Sequence, residues 1–229
     1  VWVRAQTGGV RYADRVDAGR VLAARLVQQR PVRPVVLGLP RGGVPVAAEV
    51  ARALAAELDV VLVGKVGAPD SPELAVGAVG EGGVEVRAEH VLAMLRLSWS
   101  DLADTVARVR AEVAARAGRL RGGRPPRELT GRTAIVVDDG VATGATIEAA
   151  VRIVRGLGAE RVVLAVPVAP AAVVRRLCEI ADEVVCPTAP AEFTSVGQWY
   201  RDFTQVSESR VRELLGDRQG DEATGQVSF

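Results

Sequence analysis

Apolar residues recur with two distinct periods along the chain, and their alternation predicts a layered α/β architecture. Between Asp14 and Gln29 they fall at Val16, Val21, Leu22, Leu26 and Val27, one face of a helix that Asp14 is placed to cap. Val35–Leu39 is a short uninterrupted apolar run, as expected of a strand buried on both faces. It leads through Pro40-Arg41-Gly42-Gly43-Val44-Pro45 into an alanine-rich helix to about Leu58. Val60–Gly64 reads as the next strand, with Lys65 at its end, so strand, helix and strand make a parallel crossover.

The stretch from Val66 to Val86 is rich in glycine, proline and acids, and predicts a mobile loop followed by a hairpin. A long surface helix is predicted over Trp99–Leu120, with Leu102, Val106, Val109 and Val113 on one face and Ser98 or Ser100 as its cap. Thr133–Val137 is a strand, and a helix follows from about Ala145 to Gly156. Val162–Val166, Ala171–Ile180 and Glu183–Cys186 continue the alternation as strand, helix and strand. The pattern as a whole predicts one α/β domain over 11–215, an open and mostly parallel sheet flanked by helices. Segments 84–130 and 187–206 are candidate insertions forming a smaller helical and hairpin hood. Residues 1–10 and 216–229 are expected to be flexible.

Composition narrows the function classes. With 48% hydrophobic and 25% charged residues among 229, the chain can bury a substantial core. Its 29 basic and 28 acidic residues leave a formal charge of +1, so nucleic acid is not expected as a partner on electrostatic grounds. The arginines at 108, 116, 119, 121, 124 and 127 are interspersed with Asp104 and Glu112 and read as a solvated face. Two cysteines, Cys178 and Cys186, suit a reducing compartment, and no apolar stretch approaches the roughly 20 residues of a membrane span. The first residues also lack the apolar core of a signal peptide, so a cytoplasmic protein is expected. Lys65 is the only lysine in the chain, which marks it as a candidate for a role that needs an ammonium.

The chemistry concentrates after the strand that ends at Val137. In an open parallel sheet, ligands bind beyond the carboxyl ends of the strands. There the chain presents Asp138 and Asp139, then Gly140-Val141-Ala142-Thr143-Gly144-Ala145-Thr146, with a helix opening near Ala145. Free N–H groups at a helix start, the helix dipole and two threonine hydroxyls suit a phosphate, and neighbouring carboxylates suit sugar hydroxyls. A turn that merely capped a helix would need one acid, not two acids and a glycine-threonine loop.

This segment resembles the phosphoribosyl diphosphate signature of type I phosphoribosyltransferases. The likeness extends from about Arg11 to Leu215 through Asp14-Arg15-Val16-Asp17-Ala18-Gly19-Arg20, Gly64-Lys65-Val66-Gly67-Ala68-Pro69 and Trp199-Tyr200-Arg201-Asp202-Phe203, which are similar to a bacterial group of phosphoribosyltransferases without an assigned acceptor. The resemblance implies that Asp138 and Asp139 are the catalytic and ribose-binding acids, and that Ala142, Thr143, Gly144, Ala145 and Thr146 bind the 5′-phosphate. It further implies that Arg41, Gly42, Gly43 and Lys65 serve the diphosphate. Mg²⁺ would arrive with the substrate and meet Asp138 or Asp139 directly or through water. The implied reaction transfers phosphoribosyl to a nitrogen acceptor and releases diphosphate.

Two departures bear on the acceptor. The position of Ala142 is usually acidic in enzymes acting on 6-oxopurines, which argues against hypoxanthine or guanine. The stretch 66–86, which corresponds to a loop closing over the site, holds no basic residue. Trp199 and Tyr200 are the candidates for stacking an acceptor, whereas Phe193 and Phe203 are expected to pack a subdomain. His90, the only histidine, is expected on a surface or at a helix start. Partners are therefore phosphoribosyl diphosphate, an unidentified small acceptor and, as an open possibility, a second copy of the chain. A non-catalytic sensor of phosphoribosyl diphosphate or nucleotides and a phosphoribosyl hydrolase are the competing readings. A Walker-type nucleotide triphosphatase is excluded because the single lysine is followed by Val66.

Overall fold

The computed structural model describes residues 11–29 and 31–216. The expectation of flexible termini falls outside them, apart from Gly216, which ends the last helix. Helix α1, Arg15–Val27, begins at Asp14, whose carboxylate accepts from the Asp17 N–H at 2.8 Å. Strand β1 is Pro34–Gly38, helix α2 Gly43–Ala53 and strand β2 Glu57–Val60. After a long excursion the chain returns with β6, Thr133–Val137, then α5, Ala145–Gly156, β7, Arg161–Ala165, α6, Ala171–Leu177, and β8, Glu183–Val185. The five parallel strands lie in the order β2-β1-β6-β7-β8. Every residue of β6 is buried, which is why these strands read as continuous apolar runs.

The excursion builds the second layer. Strands β3, Val63–Ala68, β4, Ser71–Gly80, and β5, Glu85–Arg87, form a three-stranded antiparallel sheet in the order β3-β4-β5. Helix α3, Glu89–Leu95, and helix α4, Ala103–Arg121, follow. A 3-10 turn at Trp99–Leu102 leads into α4, and there the Ser98 N–H donates to the Asp101 carboxylate at 2.8 Å. His90 is exposed in the first turn of α3, as expected. Helix α4 buries Val106, Val109, Val113, Ala117 and Leu120, in the same core cluster as Val66, Val76 and Val79 of the hairpin.

Three expectations are corrected here. The run from Val60 to Gly64 is not one strand: β2 ends at Val60, and β3 begins at Val63 in the other sheet. Lys65 consequently lies in mid-strand, opposite Ala78, and not at the end of a parallel strand. The stretch 66–86 is not a mobile loop, because β4 occupies ten of its residues and pairs along β3. The antiparallel sheet also begins before residue 84, at Val63. The final helix, α7, Glu208–Gly216, packs Val211, Leu214 and Leu215 into the core shared with α2 and α4.

Arg121, at the end of α4, ties the two layers together. It is buried, and its Nε donates to Asp59 of β2 at 2.7 Å while Nη2 donates to the Val60 carbonyl at 3.0 Å. The same guanidinium forms a two-pronged pair with Glu81, in the turn between β4 and β5. Asp59 also accepts from the Arg127 main-chain N–H at 2.9 Å, so both of its oxygens are satisfied.

Candidate functional site

The strand order makes a switch point between β1 and β6. From β1 the chain crosses to β2 on one side, and from β6 it crosses to β7 and β8 on the other, leaving a crevice at the carboxyl ends of β1 and β6. Register brings the two ends level: Gly38 pairs with Val137, and the Leu39 N–H donates to the Val137 carbonyl at 2.8 Å. The loop Pro40-Arg41-Gly42 therefore faces Asp138 and Asp139 across the crevice. Gly42 is required by this approach, since a Cβ there would lie 1.9 Å from Asp139 Oδ2. We expect Gly42→Ala to retain the fold but to displace the Asp139 carboxylate and lower ligand affinity at least about tenfold, as read by titration calorimetry. Unchanged affinity would separate this loop from the site.

Asp138 and Asp139 are half-buried, and their environments differ. Burial, together with the charge of Asp139, pushes Asp138 well above the usual carboxylate range, despite the Asp139 N–H at 2.9 Å and the more distant Arg15. Burial also raises Asp139, but its ion pair with Arg15 at 2.8 Å opposes the rise. A carboxyl raised on folding costs stability as pH climbs above its unfolded value of 3.8 and costs nothing below it. Asp138→Asn is therefore expected to raise the urea midpoint at about pH 8 and to leave it nearly unchanged at about pH 3. An equal shift at both values would contradict this origin.

The loop after the acids is built to leave its outer surface free. Gly140 is buried against Val196 and Val168, and the Val141 N–H donates to the Val168 carbonyl at 2.9 Å. Ala142, Thr143, Ala145 and Thr146 are exposed, and Gly144 is the N-cap of α5 with φ of +91°, a left-handed backbone that favours glycine. Helix α6 secures the loop from behind: Arg176 donates to the Thr143 carbonyl and, at 2.7 Å, to Glu148. No side chain caps the N-terminus of α5. Its first N–H groups are thus left for an anion.

The remaining candidates divide. Arg41 is half-buried, and its side chain forms no hydrogen bond or ion pair among the described residues. Lys65 is half-exposed, pairs with Glu73 at 3.1 Å and lines a cleft of about 660 Å³ together with Thr146 and Arg152 of α5. Its strand belongs to the other sheet, so the expected grouping with Arg41 at neighbouring strand ends is not found. Tyr200 is not free to stack an acceptor. It is 2% exposed, lies between Tyr12 and Phe203, and its hydroxyl donates to the Asp139 carbonyl. Burial and the nearby Asp139 charge push its phenol well up, which keeps it a donor. Trp199 is half-buried against Phe193, with ring centroids 6.5 Å apart.

Arg15 and Arg176 are the residues that local sequence reasoning missed. The segment Asp14–Arg20 was a signal for Arg15, but its contact with Asp139 spans 124 positions. Nothing in the sequence around Arg176 marks it.

Among the described residues no group of three or more His, Cys, Asp and Glu is placed to hold an ion. Asp138 and Asp139 alone suit Mg²⁺ only where a substrate supplies further oxygens, in keeping with its preference for few carboxylates and several waters. No helix of the described residues is long and apolar enough to cross a membrane.

A parallel sheet with two acids and a glycine-threonine loop at the switch point is the arrangement to be placed in a family. Residues 12–197 match the phosphoribosyl transferase domain model, and the chain belongs to that family. Two curated proteins from strains of Mycobacterium tuberculosis, provisionally named phosphoribosyl transferases, are 51% identical over 204 residues, 89% of this chain and 46% of theirs. The chain thus spans about half the length of the curated relatives it matches. The crystal structure of TT1426 from Thermus thermophilus is similar with 49% identity and a TM-score of 0.82, over 91% of this chain and 99% of that one.

Proposed function

We propose that the protein transfers the 5-phosphoribosyl group from phosphoribosyl diphosphate to a small nitrogen acceptor, releasing diphosphate. The observation that carries this reading is the meeting of the Pro40–Gly43 loop and the Asp138–Thr146 loop across one crevice, at paired positions of adjacent strands. In this reading the exposed N–H groups and hydroxyls of residues 142–146 take the 5′-phosphate, and Asp138 and Asp139 take the ribose hydroxyls. Arg41, whose side chain has no protein partner among the described residues, takes diphosphate oxygens together with the N–H groups of Gly42 and Gly43. Family likeness alone carries a diphosphate role for Lys65.

Departure of diphosphate leaves positive charge on the sugar ring, and the ionised Asp139 beside the ring stabilises it. Mg²⁺, bound with the substrate, would neutralise the leaving diphosphate. Asp138 Oδ1 already accepts from the Asp139 N–H, which leaves its Oδ2 for a ribose hydroxyl. Ala142 leaves no carboxylate at that point of the loop to accept a proton from the acceptor, so acceptors that are nucleophilic without such help fit best.

The test is diphosphate release from phosphoribosyl diphosphate across a panel of heterocyclic bases and amines, with water as the control. Release with one acceptor class and not with water supports the transferase. Release with water alone favours a hydrolase, and tight binding without release a sensor.

A further inference from the structure

Two segments that the sequence singles out, Asp14–Arg20 and Trp199–Phe203, have no place in the ribose and phosphate loops, yet both converge on Asp139. The chain on either side of the domain zips together here: the Tyr12 N–H donates to the Trp199 carbonyl at 2.8 Å, Arg201 to Tyr12 at 2.9 Å and Asp202 to Ala13 at 3.0 Å. Asp202 in turn fixes Thr204, accepting from its N–H at 2.9 Å and its hydroxyl at 2.6 Å. This brace holds one side chain. The Arg15 guanidinium donates through Nε to Asp139 Oδ2 at 2.8 Å and through Nη1 to the Thr204 carbonyl at 2.8 Å, and it lies 4.0 Å from the centre of the Phe203 ring. Its side chain is 11% exposed. From the same brace, the Tyr200 hydroxyl donates to the Asp139 carbonyl.

Asp139 is thereby gripped at its main chain and at one carboxylate oxygen. Its other oxygen, Oδ1, forms no hydrogen bond among the described residues. We infer that Arg15 is a positioning residue for sugar recognition: it fixes the rotation of the Asp139 carboxylate so that Oδ1 is presented to a ribose hydroxyl, and the brace of residues 11–14 and 198–204 exists to hold Arg15. The planar fork suits this task, because one guanidinium spans the carboxylate and the Thr204 carbonyl with little freedom left. The inference rests on the phosphoribosyl reading of the crevice.

Ribose 5-phosphate and inorganic diphosphate, titrated separately by calorimetry, provide the test. Arg15→Ala is expected to lose about tenfold to hundredfold in affinity for ribose 5-phosphate, the range for a hydrogen bond to a charged group. Its affinity for diphosphate, which does not engage Asp139, is expected to hold. Arg15→Lys, which keeps the charge and loses the fork, is expected to fall between parent and Arg15→Ala, and it serves if the alanine variant fails to fold. Methylguanidinium at millimolar concentration is expected to restore part of the loss in Arg15→Ala, whereas urea does not.

A general structural role would lower both affinities together, and that result overturns the inference, as does an unchanged affinity for ribose 5-phosphate. If the parent protein binds neither ligand, the phosphoribosyl reading itself falls and takes this inference with it.

Discussion

Replacing both Asp138 and Asp139 by asparagine is expected to abolish the thermal stabilisation that phosphoribosyl diphosphate with Mg²⁺ gives the parent protein. A ligand at about 100 times its dissociation constant adds roughly 2.7 kcal/mol to the folded state. For a domain of this size, that raises the melting temperature by about 5–10 °C. Asparagine keeps the shape of each side chain but offers no anionic oxygen to a sugar hydroxyl or to the substrate's cation. The variant is expected to fold, because relief of the burial of two carboxylates, and of the Asp139 charge on Asp138, offsets the loss of the Arg15–Asp139 ion pair. Differential scanning fluorimetry with and without ligand reads both effects at once: a cooperative transition near the parental melting temperature without ligand, and no rise with it. A ligand-induced rise of the parental size in the double variant would move the site away from these acids.

Arg121→Met is expected to produce the largest loss of stability of any single change considered, about 3–5 kcal/mol, or roughly 6–20 °C in melting temperature. The reason is not the value of the ion pairs themselves, since desolvation offsets much of their attraction. Removing the guanidinium leaves Asp59 and Glu81, with side chains 6% and 15% exposed, without their countercharge. The origin can be checked by adding Asp59→Asn and Glu81→Gln to the same protein. Recovery of most of the loss in the triple variant, measured by urea unfolding, fits a stranded-charge origin. A loss equally large in the triple variant would point to packing instead.

The parallel sheet was legible in the chain because β1, β6, β7 and β8 are covered on both sides and appear as short apolar runs separated by helical periods. The place of the acidic turn was legible for a related reason: Asp138–Thr146 is a contiguous segment that directly follows a buried strand and opens a helix. The antiparallel sheet was not, because β3 and β4 are built largely from glycine, alanine and valine with exposed residues at one end, and the signal of alternation is weak. The apolar run 60–64 hid a change of sheet at Val61 and Leu62, both buried, which no periodicity reports. Lys65 was misplaced for that reason. Tyr200 and Arg15 were beyond local reading altogether, since what matters about each is a partner in the 138–139 turn.

We propose that one crevice, between the ends of β1 and β6, binds phosphoribosyl diphosphate. A crystal structure of the protein with Mg²⁺ and ribose 5-phosphate or phosphoribosyl diphosphate tests it most directly. The 5′-phosphate is expected on the main-chain N–H groups of residues 143–146, the ribose hydroxyls on Asp138 and Asp139, and the diphosphate against Arg41, Gly42 and Gly43. A ligand bound elsewhere, with no contact to Asp138 or Asp139 and the 142–146 loop empty, would contradict it.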